Sequence, residues 1–174
     1  MDRTNLLSFS AVCAAILLTL SACGADEPRM EPLTESRLDE AERLWKTRGS
    51  ESYHLVIRVE ASRMETLIYD IVVRGGGIAS IKRDGNAIQP EHTEDYSISG
   101  LFHLMRLEME LQKKSPEGTP EALATMFAYF EPETGRIQRY RRSAIGSRRT
   151  RTLKIEVLNY EPDATGLKAQ EGGG

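Results

Sequence analysis

Two groups of three short strand-like segments separated by tight turns, each group led by a stretch of helical period, constrain this chain more than any other feature. In Tyr53–Ala61, residues Tyr53, Leu55, Ile57, Val59 and Ala61 share one face, while His54, Arg58 and Glu60 share the other. That is the period of a half-buried strand. From about Thr66 to Arg74 the pattern repeats with Leu67, Tyr69, Ile71 and Val73, and Gly75-Gly76-Gly77 turns into a third run, Ile78–Arg83, which Asp84-Gly85-Asn86 ends. The second group comprises Thr125–Glu131, Arg136–Ser143 and Arg151–Tyr160, with turns at Pro132-Glu133-Thr134-Gly135 and Gly146-Ser147. Turns this short force antiparallel neighbours. A sheet with one apolar face must be covered on that face.

Two helices can supply the cover. Thr34 or Ser36 can cap the first, Leu38, Ala41, Leu44 and Trp45 fall on one side of it, and Gly49 stops it. The second is predicted over about Ser97 to Lys114, with an apolar stripe of Ile98, Leu101, Phe102, Met105, Met109 and Leu111. Pro116, Gly118 and Pro120 mark the loop behind it. The expected fold is α+β: a two-layer domain in which an antiparallel sheet is covered by two helices, in the order α-β-β-β-α-β-β-β. The order hints at a duplicated unit, although no repeat is visible residue by residue.

The chain opens with MDRTNLLSFSAVCAAILLTLSACGADEP. Arg3 supplies a positive start, Leu6 to Leu20 form an apolar run too short for a stable span, and a small-residue site follows. Residues 1–22 therefore read as an export signal. Leu20-Ser21-Ala22-Cys23 resembles the lipobox of bacterial lipoproteins, which implies cleavage before Cys23, a diacylglycerol on its sulfur and acylation of the new amino terminus. Several acyl chains on one residue suffice for lasting membrane attachment. A plain signal peptide followed by a chance cysteine is the alternative. Gly24, rather than an aspartate, follows Cys23; in Gram-negative bacteria that resembles lipoproteins sent on to the outer membrane. Residues 23–33 then read as a lipidated, Pro-containing tether, 34–162 as the α+β domain, and 163–174, ending in Glu-Gly-Gly-Gly, as a disordered tail.

The chain has 174 residues, enough for one domain of ordinary size. Its net charge of −3 gives no field that points to nucleic acid. The two cysteines are Cys13, inside the leader, and Cys23. The remaining domain has no thiol for a disulfide, a metal site or a nucleophile.

Few residues suggest chemistry. His54 falls on a polar strand face, His92 in a loop and His103 on the second helix, with no spacing typical of metal ligands. No Gly-x-Ser-x-Gly elbow occurs, and Glu108 and Glu110, two apart on a helix, point to different sides. Gly75-Gly76-Gly77 lacks the lysine and helix of a phosphate loop. No catalytic residue, metal or cofactor is expected. The strongest anomaly is a run of arginines without an acid: Arg136, Arg139, Arg141, Arg142, Arg148, Arg149 and Arg151. A hairpin would gather them at its turn end and on one exposed face, a basic patch suited to carboxylates or phosphates. The competing reading is a solvated edge whose charge blocks aggregation. The helix stripe could line a lipid-binding groove with Met105, Met109, Met126 and Phe127, although ordinary core accounts for it as well.

From Trp45 to Tyr160 the residues are similar to a family of bacterial secreted domains and lipoproteins, domain-of-unknown-function family six-one-seven-four. The resemblance rests on Trp45 before a Gly-Ser loop, Tyr53 opening the first strand, and Val72-Val73 before Gly75-Gly76-Gly77. It continues with Ser99-Gly100-Leu101-Phe102 at the second helix, and Tyr129 with Pro132-x-x-Gly135 in the late hairpin. Many relatives carry a cysteine pair soon after the first tyrosine; here Glu60-Ala61-Ser62-Arg63 has none. The resemblance implies an envelope location and a compact α+β fold, and no reaction.

The resulting expectation is a non-enzymatic, lipid-anchored envelope protein, on the periplasmic face of the outer membrane in a Gram-negative cell. It would bind another envelope component, a protein or an anionic polymer, and not nucleic acid. The alternative is a carrier or sensor of a small lipid-like or anionic ligand held between helix and sheet.

Overall fold

A computed structural model describes residues 28–89, 95–145 and 150–163. The protein is an α+β fold with one antiparallel sheet of eight strands and two helices. In chain order these are β1 (Glu31–Pro32), α1 (Glu35–Arg48), β2 (Tyr53–Ala61), β3 (Leu67–Arg74), β4 (Gly77–Arg83), β5 (Asn86–Ile88), α2 (Ile98–Lys114), β6 (Thr125–Phe130), β7 (Ile137–Ile145) and β8 (Thr150–Pro162). Across the sheet the order is β1-β6-β7-β8-β2-β3-β4-β5. The two expected strand groups thus lie side by side, joined where β8 pairs with β2.

The helix ends follow from their caps. The Thr34 hydroxyl accepts from the Arg37 N–H at 3.3 Å, and the Gly49 N–H donates to the Trp45 carbonyl. The Ser97 hydroxyl accepts from the Gly100 N–H at 3.0 Å. Leu38, Ala41 and Trp45 of α1, with Ile98, Leu101, Phe102 and Met105 of α2, form one core with alternate strand residues such as Leu55, Ile57, Ile71, Ala128, Tyr140 and Ile155. Leu111, expected in the apolar stripe, is exposed, and Met109 is only partly buried, because α2 runs past the core toward its C-terminus. Arg106 of α2 reaches Asp39 and Glu42 of α1 at 3.0 and 2.5 Å.

Two departures from the expected order are short edge strands. β5 pairs back on β4 where Asp84-Gly85-Asn86 was expected only to end a strand. β1 lies in the segment expected to be a tether. It pairs Glu31 with Ala128 and Pro32 with Phe127, the Leu33 N–H donates to the Met126 carbonyl, and Leu33 packs on the core. The Arg37 guanidinium holds the Pro32 carbonyl at 2.7 Å and the Glu31 carboxylate at 3.1 Å. A proline is tolerated there because an edge strand leaves some N–H positions unpaired. At the other end, the Asp163 N–H donates to the Ser52 carbonyl at 2.8 Å, so the fold continues to the start of the expected tail. Cys23, His92, Arg148, Arg149 and the tail 164–174 lie outside the described residues. Among the described residues no helix is long and apolar enough to cross a membrane.

Candidate functional site

The side of the sheet that points away from the buried core carries an ordered set of charges. Strand register places them in rows. One row runs Tyr129, Arg139, Glu156, Arg58 across β6, β7, β8 and β2; the next runs Phe127, Arg141, Lys154, Glu60. All alternate with buried residues: Tyr140 and Ile155, 2% exposed each, point the other way. The Arg139 guanidinium lies over the Tyr129 ring at 5.6 Å and that of Arg141 over the Phe127 ring at 5.2 Å. Each cation thereby rests near an aromatic ring, and Arg139 also holds the Pro28 carbonyl.

The acids of the face are taken up locally. Arg58 is ion-paired with Glu156 and lies 3.5 Å from Glu60, which also holds Lys154 at 2.9 Å. The Lys154 hydrogen bond lowers the Glu60 pKa from its usual value. Arg141 stands directly opposite Lys154. Like charges facing each other across a strand pair are unfavourable by themselves and favour an anion between them. Among the described residues Arg141 makes no ion pair; its partner is the Phe127 ring. The face includes an open cleft of about 340 Å³ walled by Met30, Arg58, Glu60, Arg139, Arg141, Lys154 and Glu156. Four of those walls are cationic and two anionic. Met30 reaches the cleft because Arg139 also donates to the Pro28 carbonyl, fastening the incoming chain to this face.

The seven arginines expected to form one patch are therefore divided. Only Arg139 and Arg141 share the open face. Arg142, one residue on, points to the helix side and pairs with Glu108 of α2. Arg136 lies at the other end of β7, over the Tyr160 ring at 4.3 Å, where burial pulls its pKa down. That ring belongs to an aromatic cluster with Trp45 and Tyr53, so Arg136 seals the core. Arg151 is exposed and approaches Glu121 at 3.4 Å. The reason for the division is strand alternation, shifted by an irregularity between Tyr129 and Phe130 that leaves Gln138 unmatched in the β6–β7 ladder.

Sequence reasoning placed Arg58 on the polar side of its strand without joining it to the arginines of β7, and it missed Lys154, Phe127 and Tyr129 as parts of this face. Phe127 was a candidate for a groove between helix and sheet, yet it lies on the opposite face from Met126. The space between α2 and the sheet, lined by Leu101, Leu104, Met105, Ile137, Tyr140 and Ile155, leaves no room for a water molecule. His54 also faces the open side, with Nε2 2.8 Å from Asp70 and Nδ1 4.0 Å from Glu161. His103 is exposed on α2. Among the described residues no group of three His, Cys, Asp or Glu side chains is placed to hold a metal ion.

No protein-family model matches the chain, and no curated protein matches it either.

Proposed function

We propose that this chain is a lipid-anchored bacterial envelope protein, held by acyl chains on Cys23, that works without catalysis by binding another envelope component. The domain behind the anchor is read as two layers, helices over one face of the sheet and the other face left for a partner. The observation that carries the reading is the pair Arg139 and Arg141, stacked on Tyr129 and Phe127 beside Lys154 on the uncovered face. Guanidinium groups already held beside a ring lose less freedom on meeting a carboxylate or phosphate, which favours contact with an acidic surface. The carrier alternative draws no support from the tightly filled space beneath α2.

The test is crosslinking in intact cells of the full-length protein, followed by mass spectrometry, with the Arg141→Gln protein alongside. A binding protein should give a reproducible crosslinked partner, a protein or a membrane lipid, whose yield drops several-fold in the variant. Capture that is nonspecific and indifferent to Arg141 would remove the reading. The anchor is tested separately by Cys23→Ser, which should release the protein from membranes; wild-type protein fully recovered without detergent would refute the lipid.

A further inference from the structure

The N-terminal segment does more than connect the domain to its anchor. Pro28 is fastened to Arg139, Met30 walls the cleft, and β1 is paired to β6, so the chain enters the fold on the uncovered face. Only residues 24–27 separate Pro28 from Cys23. Fully extended, the step from Cys23 to Pro28 spans at most about 18 Å. A lipid on Cys23 would therefore hold the Arg139–Arg141 side of the domain beside the bilayer, with the helix layer turned away.

Resting on the lipoprotein reading above, we infer that the partner of this face is the membrane itself: the anionic phosphate headgroups of the bilayer that holds the Cys23 lipid. Chain length, entry point and charge agree. The cleft has four basic walls to two acidic ones, and Arg141, opposite a Lys154 already held by Glu60, has no anionic partner among the described residues. Phosphate headgroups supply that anion. Phe127 and Tyr129 lie under the guanidinium groups, an aromatic and basic combination suited to the headgroup level. Tethering makes the contact intramolecular, so a few weak charges suffice to orient the domain.

The experiment uses the mature lipidated protein, reconstituted in phosphatidylcholine vesicles with or without phosphatidylglycerol and a nitroxide-labelled lipid headgroup. Because Cys13 leaves with the leader and Cys23 is acylated, one introduced cysteine can carry a dye. Ser143→Cys reports the open face and His103→Cys the helix side. Quenching should be strong at position 143 and weak at 103 in anionic vesicles, and the difference should shrink in neutral vesicles and in high salt. Arg141→Gln should reduce the equilibrium toward the docked state about fivefold, the gain typical of one basic side chain at an anionic surface, and Arg141→Lys should restore most of it. Equal quenching at both positions, or indifference to phosphatidylglycerol and to Arg141, overturns membrane docking. An envelope protein as the true partner would give that result together with Arg141-dependent crosslinks in cells. Mass spectrometry of the peptide containing Cys23 separates the premises. An acylated peptide with no orientation refutes the docking alone, and an unacylated one refutes the anchor and the docking with it.

Discussion

Arg142 Nε and Glu108 Oε2 meet 2.7 Å apart, joining β7 to α2, with side chains only 15% and 17% exposed. They lie beside the Tyr140 hydroxyl, whose pKa is raised by burial and then by the Glu108 charge. A partly buried pair stabilises less by its attraction than it costs to break, because the survivor keeps its desolvation penalty. Glu108→Gln or Arg142→Met should each lower stability by about 1–3 kcal/mol, roughly 3–10 °C in Tm for a domain of this size. The double variant Glu108→Leu with Arg142→Met should recover much of the loss, a coupling that thermal or urea unfolding measures. Tyr140→Phe should be neutral or slightly stabilising, since its hydroxyl has no hydrogen-bond partner among the described residues.

Tyr53 ties the first strand to the second helix. Its hydroxyl accepts from the Ile98 N–H at 2.9 Å, and burial pushes its pKa up to about 12. The folded state thus binds the phenolic proton more tightly than the unfolded chain. Its contribution is complete below the unfolded value near 10 and is lost as pH rises from there through about 12. Absorbance titration should show Tyr53 among the buried tyrosines that ionise late, with Tyr140 and Tyr160, together with unfolding. Tyr53→Phe should shrink that phase by one tyrosine and cost about 1–2 kcal/mol, because it leaves a buried N–H without its acceptor.

Glu131 organises the β6–β7 turn by accepting from the Glu133 and Thr134 N–H groups at 2.8 and 2.9 Å and from the Thr134 hydroxyl at 2.5 Å. Partial burial raises its pKa, but these donors outweigh it and hold it below 4.5. Glu42 is lowered as well, chiefly by its hydrogen bond with Lys46. Depressed carboxylates stabilise above their unfolded pKa and lose that contribution as pH falls through the folded one. Acid unfolding should therefore begin below about pH 4.5. Glu131→Gln should flatten this acid limb while leaving an intact β6–β7 ladder by amide exchange.

Gly135 and Gly76 both have φ in the left-handed region, at 73° and 80°, but only one is crowded. A Cβ at Gly135 would meet the Ala41 carbonyl oxygen at 2.1 Å and Leu44 Cβ at 2.8 Å, whereas none lies near Gly76. Gly76→Ala should cost about 1 kcal/mol, the strain of the backbone alone. Gly135→Ala must also push α1 off the turn, and should cost about 3 kcal/mol or more. Parallel thermal melts of the two variants check the contrast.

The residues that local chemistry governs could be read from sequence. Thr34 and Gly49 bound α1, Ser97 starts α2, and strict alternation places Tyr53, Leu55, Ile57 and Val59 inward. Caps, turns and two-residue periodicity act over a few residues, so they are written locally. β1 is not of that kind. A segment with two prolines looks like a linker until β6, about a hundred residues later, supplies its partner groups. The grouping of arginines is likewise nonlocal: an extra residue in the β6–β7 ladder decides that Arg139 and Arg141 face outward while Arg142 meets Glu108. So does the company they keep, because Lys154 and Arg58 reach the same face only through the pairing of β8 with β7 and β2. Sequence alone determined the two helices, the six longer strands and which side of β2 and β3 is apolar. The tertiary structure alone decided which charges share a face, since strand order and register set that and neither is carried by any one segment.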